Sequence, residues 1–184
     1  MGEPLPPRIA HPVHVAGIAP ASAATILSEV FYDAAGADDG YGFVELAGEP
    51  GTLLDGLQLA GVNGYNGAIG PVIELAGVIG PDGLFLVADQ TGDGSSFVAG
   101  SDLLANFDFQ NGPDSIVLLD GETVLDALGY GVFGLEEIFA GEGTAAPDAP
   151  AGSSLARLFA DLDTDDNALD FEVLGVPTPG AALF

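Results

Sequence analysis

The stretch Asp161–Glu172 reads DLDTDDNALDFE and carries carboxylates at the spacing of a calcium-binding loop. An EF-hand loop supplies oxygen ligands from its first, third, fifth, seventh, ninth and twelfth positions. Here those positions are Asp161, Asp163, Asp165, Asn167, Leu169 and Glu172. The sixth position of such a loop is a glycine that permits a sharp turn, but Asp166 stands there. The match to an EF-hand is therefore incomplete.

The flanks of this stretch also disagree with an EF-hand, which has a helix on each side. The letters SLARLF before it predict a strand, and VLGVPTPG after it predicts an extended segment. We therefore interpret the stretch first as a turn in which Asn167 and Asp170 bond backbone amides. As a secondary property, the turn offers three candidate cation ligands, Asp161, Asp163 and Asp165.

Two other acidic turns raise the same question, Asp33–Asp39 (DAAGADD) and Asp89–Asp102 (DQTGDGSSFVAGSD). In the second, Asp89 and Asp93 belong to a D-x-x-x-D-G pattern, whose glycines let the backbone turn and present carbonyls to a hard cation. The alternative is an exposed loop that aspartate keeps soluble. Calcium is the one cofactor that the sequence suggests.

Groups for catalysis are scarce in this chain. Both histidines, His11 and His14, lie in the N-terminal segment, where no predicted element would preorganise them for acid–base or metal chemistry. The absence of cysteine excludes a thiolate nucleophile or ligand. Glu29 and Glu45 lie on adjacent predicted strands and could form a glycosidase-like pair, but 28 acidic residues make such pairs common by chance. We therefore predict that the protein is not an enzyme.

Arg157 is the only basic residue in the predicted folded part of the chain. It stands in SSLARLF, directly before the acidic stretch. We expect it to pair with a carboxylate at the edge of the core and to fix the last strand, which would stabilise the fold by roughly 1–3 kcal/mol.

The charge balance excludes whole classes of partner. The 28 acidic residues face only Arg8 and Arg157, and the formal net charge is -26. Because nucleic-acid affinity comes largely from Lys and Arg, we predict no nucleic-acid binding. For the same reason we predict no binding to anionic membrane surfaces. No apolar run approaches the roughly 18 residues of a membrane span. A hydrophobic content of 48% still indicates a folded chain rather than an acidic tail.

Short β-rich runs separated by Gly, Pro, Asp and Asn are the dominant pattern, and they position the residues discussed above. The candidate strands are Thr25–Tyr32, Tyr41–Leu46, Leu57–Leu59, Val72–Leu75, Leu84–Ala88, Ser115–Leu119, Thr123–Tyr130 and Ser154–Phe159. The pattern predicts an all-β fold, an antiparallel sandwich of about eight short strands.

The connections are also readable. Asp120–Gly121 predicts a hairpin turn, since glycine tolerates positive φ. Ser101–Asn106 and Leu135–Phe139 predict a helical turn or two. Gly141–Gly152, rich in small residues, predicts a long loop inside one domain.

The order of these motifs resembles the lamin-tail domain as it occurs in bacterial proteins. The resemblance spans about Thr25 to Ala182 and rests on six pieces in the family's order: ILSEVFYDAAGADDGYGFVEL, LLDGLQL, PDGLFLVAD, NGPDSIVLLDGETVLDALGYG, SSLARLFADLDTDDNALDF and PTPGAA. It implies an immunoglobulin-like β-sandwich, usually a non-catalytic module, often in exported or surface proteins. We accordingly assign residues 25–184 to one lamin-tail-like domain.

Residues 1–24 precede this domain, and we expect them to be an extended leader or assembly arm, in which a cleaved signal peptide is only weakly indicated. Arg8–Ile18 (RIAHPVHVAGI) is apolar and could add to the edge of a neighbour's sheet, although Pro12 would confine it to an edge. The alternative is a flexible tether.

Taken together, these patterns predict a structural or adhesion module, the subunit of a cell-surface or extracellular assembly that binds a protein partner or its own copies through the arm. The alternative is a calcium-dependent binding module of a secreted protein.

Overall fold

The computed structural model describes residues 24–182, and the N-terminal arm lies outside this range except for Ala24. The described residues form ten strands and one short helix. These are β1 Ile26–Phe31, β2 Phe43–Ala47, β3 Leu57–Asn63, β4 Ile69–Glu74, β5 Leu84–Asp89, β6 Leu103–Ala105, β7 Asp114–Asp120, β8 Thr123–Tyr130, β9 Ser154–Arg157, α1 Asn167–Asp170 and β10 Phe171–Leu174.

The strands form two sheets packed as a sandwich, which confirms the predicted all-β class. The larger sheet has the order β10-β9-β1-β2-β5-β6, and the smaller has the order β4-β3-β7-β8. Neighbouring strands are antiparallel except β5 and β6, which are parallel. A single apolar core lies between the sheets, with side chains such as Leu27, Val44, Leu118 and Leu128 fully buried.

The β7–β8 hairpin forms where the sequence predicted it. β7 ends at Asp120 and β8 begins at Thr123, with the same bounds for β8 as predicted. Gly121 has a φ of 58°, which glycine adopts without a Cβ clash.

Two predicted helical turns are wrong. Within Ser101–Asn106 the chain instead forms β6, because Asp102 exchanges backbone and side-chain hydrogen bonds with Leu86 of β5 and holds the segment extended. Leu135–Phe139 is an irregular turn, and the Phe139 ring lies over the four-stranded sheet, where a Cβ on Gly129 would come within 2.2 Å of it. The count of about eight strands omitted β6 and β10.

The loop predicted at Gly141–Gly152 is present and closes one side of the core. Ala146 and Ala149 from this loop are buried beside a stacked pair of rings, Tyr32 and Tyr130, whose centroids are 4.2 Å apart. The Ala149 backbone N–H donates to the Tyr32 hydroxyl at 2.9 Å. Small side chains therefore allow the backbone of the loop to approach the rings closely.

Both outer faces of the sandwich are partly covered by chain. On the four-stranded sheet, Val62, Val117 and Ala127 are buried with Ala140 packed against them. On the six-stranded sheet, residues 177–182 cross the outer face near β1 and β2. We call residues 177–182 the strap. Within residues 24–182, no helix is long and apolar enough to cross a membrane.

Candidate functional site

Arg157 joins the two sheets at one end of the sandwich. It is the last residue of β9, and its side chain is fully buried. Its Nη2 donates to both carboxylate oxygens of Asp126 in β8, at 2.9 and 3.1 Å. Both oxygens of Asp126 thus contact the same guanidinium nitrogen, in a buried, charge-assisted pair. The predicted pairing of Arg157 with a carboxylate at the core edge is therefore confirmed.

The same pair fixes the backbone of β1 at a bulge. The register of β1 against β2 shifts between Leu27 and Glu29, which leaves backbone groups without the regular ladder. The Arg157 Nε–H donates to the Leu27 carbonyl at 2.7 Å, and the Leu27 N–H donates to Asp126 at 2.5 Å. The ion pair thus satisfies both backbone groups of Leu27.

The acidic stretch supplies the other partners of Arg157. Its Nη1 donates to the Leu162 carbonyl at 3.0 Å, to Asp163 at 3.3 Å and to Asp170 at 3.0 Å. The guanidinium carbon also lies 4.6 Å from the centroid of the Phe171 ring, within range of a cation–π contact. Arg157 therefore anchors the predicted turn to β9 and to the opposite sheet.

Glu142 adds a fourth carboxyl group to this site. Oxygen atoms of Asp126, Glu142 and Asp163 lie within 4.8 Å of one another. Glu142 Oε2 is buried and has no hydrogen-bond partner among residues 24–182. Burial, followed by the charges of Asp126 and Asp163, raises the pKa of Glu142 to about 8, which favours the protonated form of its carboxyl group. We call Arg157, Asp126, Asp163, Asp170 and Glu142 the Arg157 cluster.

The pKa values of the two closest partners move in opposite directions. Burial raises the pKa of Asp126 and the charge of Asp163 adds to the rise, while the Arg157 charge and the Leu27 N–H bond offset it only in part. Burial would also raise the pKa of Asp170, but hydrogen bonds from Thr164, together with Arg157, outweigh it and lower that pKa.

The remaining side chains of the acidic stretch shape the turn. Asp166 caps α1 by accepting from the Ala168 N–H, and Asn167 accepts from the Gly129 and Glu142 N–H groups. Asp170 accepts from the Thr164 N–H, so the predicted amide bonding of Asn167 and Asp170 is confirmed.

The three cation candidates in this stretch are separated in the structure. Asp163 faces Arg157 and also accepts from the Asp165 N–H at 3.2 Å. Asp161 and Asp165 are exposed, and neither belongs to the close carboxylate group described above.

The other two cation candidates also lie in different environments. Asp89 is buried and accepts from the Gly40 N–H at 2.6 Å and the Phe107 N–H at 3.0 Å. Asp93 is exposed and accepts from Thr91 and Ser95, whose hydrogen bonds lower its pKa to about 2. Asp89 instead lines an acidic pocket of about 230 Å³ with three other aspartates, Asp38, Asp39 and Asp108.

Glu29 and Glu45 face each other across β1 and β2 on the outer face of the larger sheet, and both are buried. Glu29 accepts from Ser154 and, at 2.9 and 2.8 Å, from the Thr178 N–H and hydroxyl. Glu45 accepts from the Ser28 hydroxyl at 2.6 Å and the Gly180 N–H at 2.7 Å. We call Glu29 and Glu45 the carboxylate pair, and it holds the strap.

The carboxylate pair has no basic partner. Among residues 24–182 Arg157 is the only basic side chain, and its ion pairs go to Asp126, Asp163 and Asp170. Burial raises the pKa of Glu45, hydrogen bonds from Ser28 and Gly180 oppose the rise, and the charge of Glu29 adds to it.

Most carboxylates of these sites bind backbone and hydroxyl donors, and Asp126, Glu142 and Asp163 also place oxygens close enough together to hold a cation. The sequence signal for Asp126 was an acid inside the apolar strand TVLDALGY, where burial demands a partner. Glu142 lies in a loop of small residues and gave no comparable signal. No family model, no curated protein and no solved structure matches this chain.

Proposed function

We propose that this protein is a non-catalytic structural or adhesion module, the subunit of a cell-surface or extracellular assembly. The observation that carries the proposal is the use of the buried carboxylates. Asp89, Asp126, Asp170 and the carboxylate pair all accept hydrogen bonds that fix backbone segments or the strap. Groups engaged in this way are poorly suited to move protons for a substrate. The lamin-tail resemblance is in line with the same role.

The charge distribution supports the N-terminal arm as the segment through which copies associate. Residues 24–182 contain 27 of the 28 acidic residues, and their one basic residue, Arg157, is buried. Two such surfaces repel each other. Residues 1–24 carry only Glu3 and Arg8 as fixed charges, together with both histidines. The arm is therefore the segment that a second copy would repel least.

The test is the solution mass of the full chain and of a variant that lacks residues 1–24. Both described sheets lie outside the deleted segment, so the variant keeps its core. We expect the full chain to form oligomers in light scattering and the shortened chain to be monomeric. Equal monomeric masses for the two proteins would overturn the proposal.

A second candidate function is calcium-dependent binding, favoured by the close oxygens of Asp126, Glu142 and Asp163 and the unpartnered Glu142 Oε2. A cation there would displace the proton of Glu142 but would stand beside the Arg157 charge. The measurement is the melting temperature in chelator and in millimolar calcium, for the chain and for Glu142→Gln. A rise that Glu142→Gln abolishes supports this function, and an unchanged melting temperature excludes it.

A further inference from the structure

The strap does not fill the outer face that it crosses. Beneath it lies a pocket of about 270 Å³, which we call the strap pocket. Its lining is mostly small or aliphatic and includes Ala156, Leu158, Ala160, Leu174 and Ala182. A site with this lining takes a short apolar side chain and its backbone rather than a large polar ligand.

The strap pocket is also acidic without a free cation. Glu29 and Glu45 lie in its wall, and Glu172 of β10 is exposed beside them. Arg157 touches the pocket too, but three aspartates already share its charge. An apolar segment with one positive charge is the complementary occupant.

The N-terminal arm enters the fold next to this pocket. Ile26, two residues after the first described residue, belongs to a small apolar cluster with Ala160, and Ala182 packs against this cluster; both alanines line the pocket. The arm carries Arg8, which is the only Lys or Arg of the chain outside the Arg157 cluster. Ile9 and Ala10 follow it directly. Charge and shape therefore point to this part of the arm.

The arm is long enough to reach the pocket of another molecule. Arg8 lies sixteen positions before Ala24, a span of about 55 Å when the chain is fully extended. A domain of this size is about 40 Å across. The length of the arm therefore allows Arg8 to reach past its own domain to a second copy.

We propose that the strap pocket receives residues Arg8–Ala10 from the arm of a second copy of this chain. Ile9 enters the aliphatic lining, and the Arg8 guanidinium lies against Glu172 at the rim. This inference rests on the proposed assembly through the arm and names its docking site. Because every copy has one arm and one pocket, the contact can close as an arm-exchanged dimer.

Disulfide trapping tests the docking site directly, because the chain has no cysteine of its own. An Ile9→Cys protein is mixed with a Glu172→Cys protein and oxidised. The matched control replaces Glu172→Cys by Glu74→Cys, since Glu74 is also an exposed glutamate on an edge strand, in the other sheet. We expect at least about tenfold more mixed disulfide with Glu172→Cys than with the control, because docking raises the effective concentration.

Exchanging the charges of Arg8 and Glu172 is a second test of the docking site and needs no cross-link. Arg8→Glu and Glu172→Arg should each weaken association about threefold to tenfold, and the doubly exchanged chain should recover it. Glu74→Arg changes the net charge as much as Glu172→Arg and should leave the association of the full chain no weaker than before.

The outcomes separate this inference from the proposed function. Arm-dependent oligomers in which Ile9→Cys cross-links equally well to position 74 would overturn the strap pocket as the docking site. They would leave the proposed assembly through the arm standing. A disulfide only within one chain of an Ile9→Cys/Glu172→Cys double variant, with none between mixed chains, would assign the pocket to the protein's own arm. A full chain that is monomeric at every concentration would overturn both proposals.

Discussion

The Arg157 cluster and the carboxylate pair bury acidic groups in two different ways. In the cluster, one guanidinium compensates Asp126, Asp163 and Asp170 and ties the two sheets together. In the pair, the donors to Glu29 and Glu45 within the described part of the chain are hydroxyl and N–H groups, several of them from the strap. The first is an internal ion network, and the second is a contact between the sheet and a terminal segment.

This difference predicts how each region responds to damage. Loss of Arg157 would leave carboxylates buried without a counter-charge, and water cannot reach Asp126 to replace it. Loss of the strap would open the outer face, so that water could hydrate Glu29 and Glu45. The cluster should therefore dominate global stability, while the pair should affect mainly the local order of the C-terminal segment.

The largest effect is expected from Arg157→Met. Removing one partner of a buried ion pair costs about 3–5 kcal/mol, and this variant also leaves the Leu27 carbonyl unpaired. Urea unfolding measures the loss. Arg157→Lys is the control that keeps the positive charge but not the planar guanidinium group. Its free energy of unfolding should lie between those of Arg157→Met and the original protein. A loss below about 1 kcal/mol for Arg157→Met would show that the cluster is not a stability determinant.

Ending the chain after Val176 removes the strap and should have a smaller effect. Three hydrogen bonds to Glu29 and Glu45 are lost, but both carboxylates gain water, so we expect a cost of about 1–3 kcal/mol. Circular dichroism should still report the sandwich. An unfolded product would mean that the strap is part of the central core, contrary to the comparison.

Thr178→Val isolates one bond of the strap. It deletes the hydroxyl that donates to Glu29 at 2.8 Å and keeps the backbone N–H bond. We expect a cost of about 0.5–1.5 kcal/mol in the same unfolding experiment. The matched control is Thr52→Val, which makes the same replacement at a threonine outside the strap.

The smallest effect concerns pH and Glu45. Because its pKa is raised in the folded state, its contribution to stability is fully present below the pKa of the unfolded chain and is lost as pH rises through the folded pKa. Glu45→Gln should remove this part of the pH dependence, so the original chain should lose stability relative to the variant from about pH 4.5 upward. Parallel pH profiles for the two proteins would contradict the assignment.

Particular residues explain how far the sequence could be read. The run TVLDALGY predicted β8 with its correct bounds, because its apolar residues and the Asp-Gly turn before it both indicate the second strand of a hairpin. β6 was missed because its strand conformation depends on Asp102 bonding Leu86, a tertiary contact. At the site, the pairing of Arg157 with a carboxylate was predictable, because Arg157 lies in a predicted strand directly before the acidic stretch.

The identity of its partners was not predictable. Asp126 is 31 residues away in the other sheet, and Glu142 comes from a loop. Likewise, the adjacency of Glu29 and Glu45 followed from neighbouring strands. The strap bonds from Thr178 and Gly180, 149 and 135 residues away, did not.

The central claim is that buried acids of this sandwich serve its fold, and a double-mutant cycle on Arg157 and Asp126 tests it most directly. The variants are Arg157→Met, Asp126→Leu and the combination, compared by their free energies of unfolding. The account predicts that the combined variant is more stable than the sum of the single losses implies, by at least about 2 kcal/mol. Additive losses would contradict it.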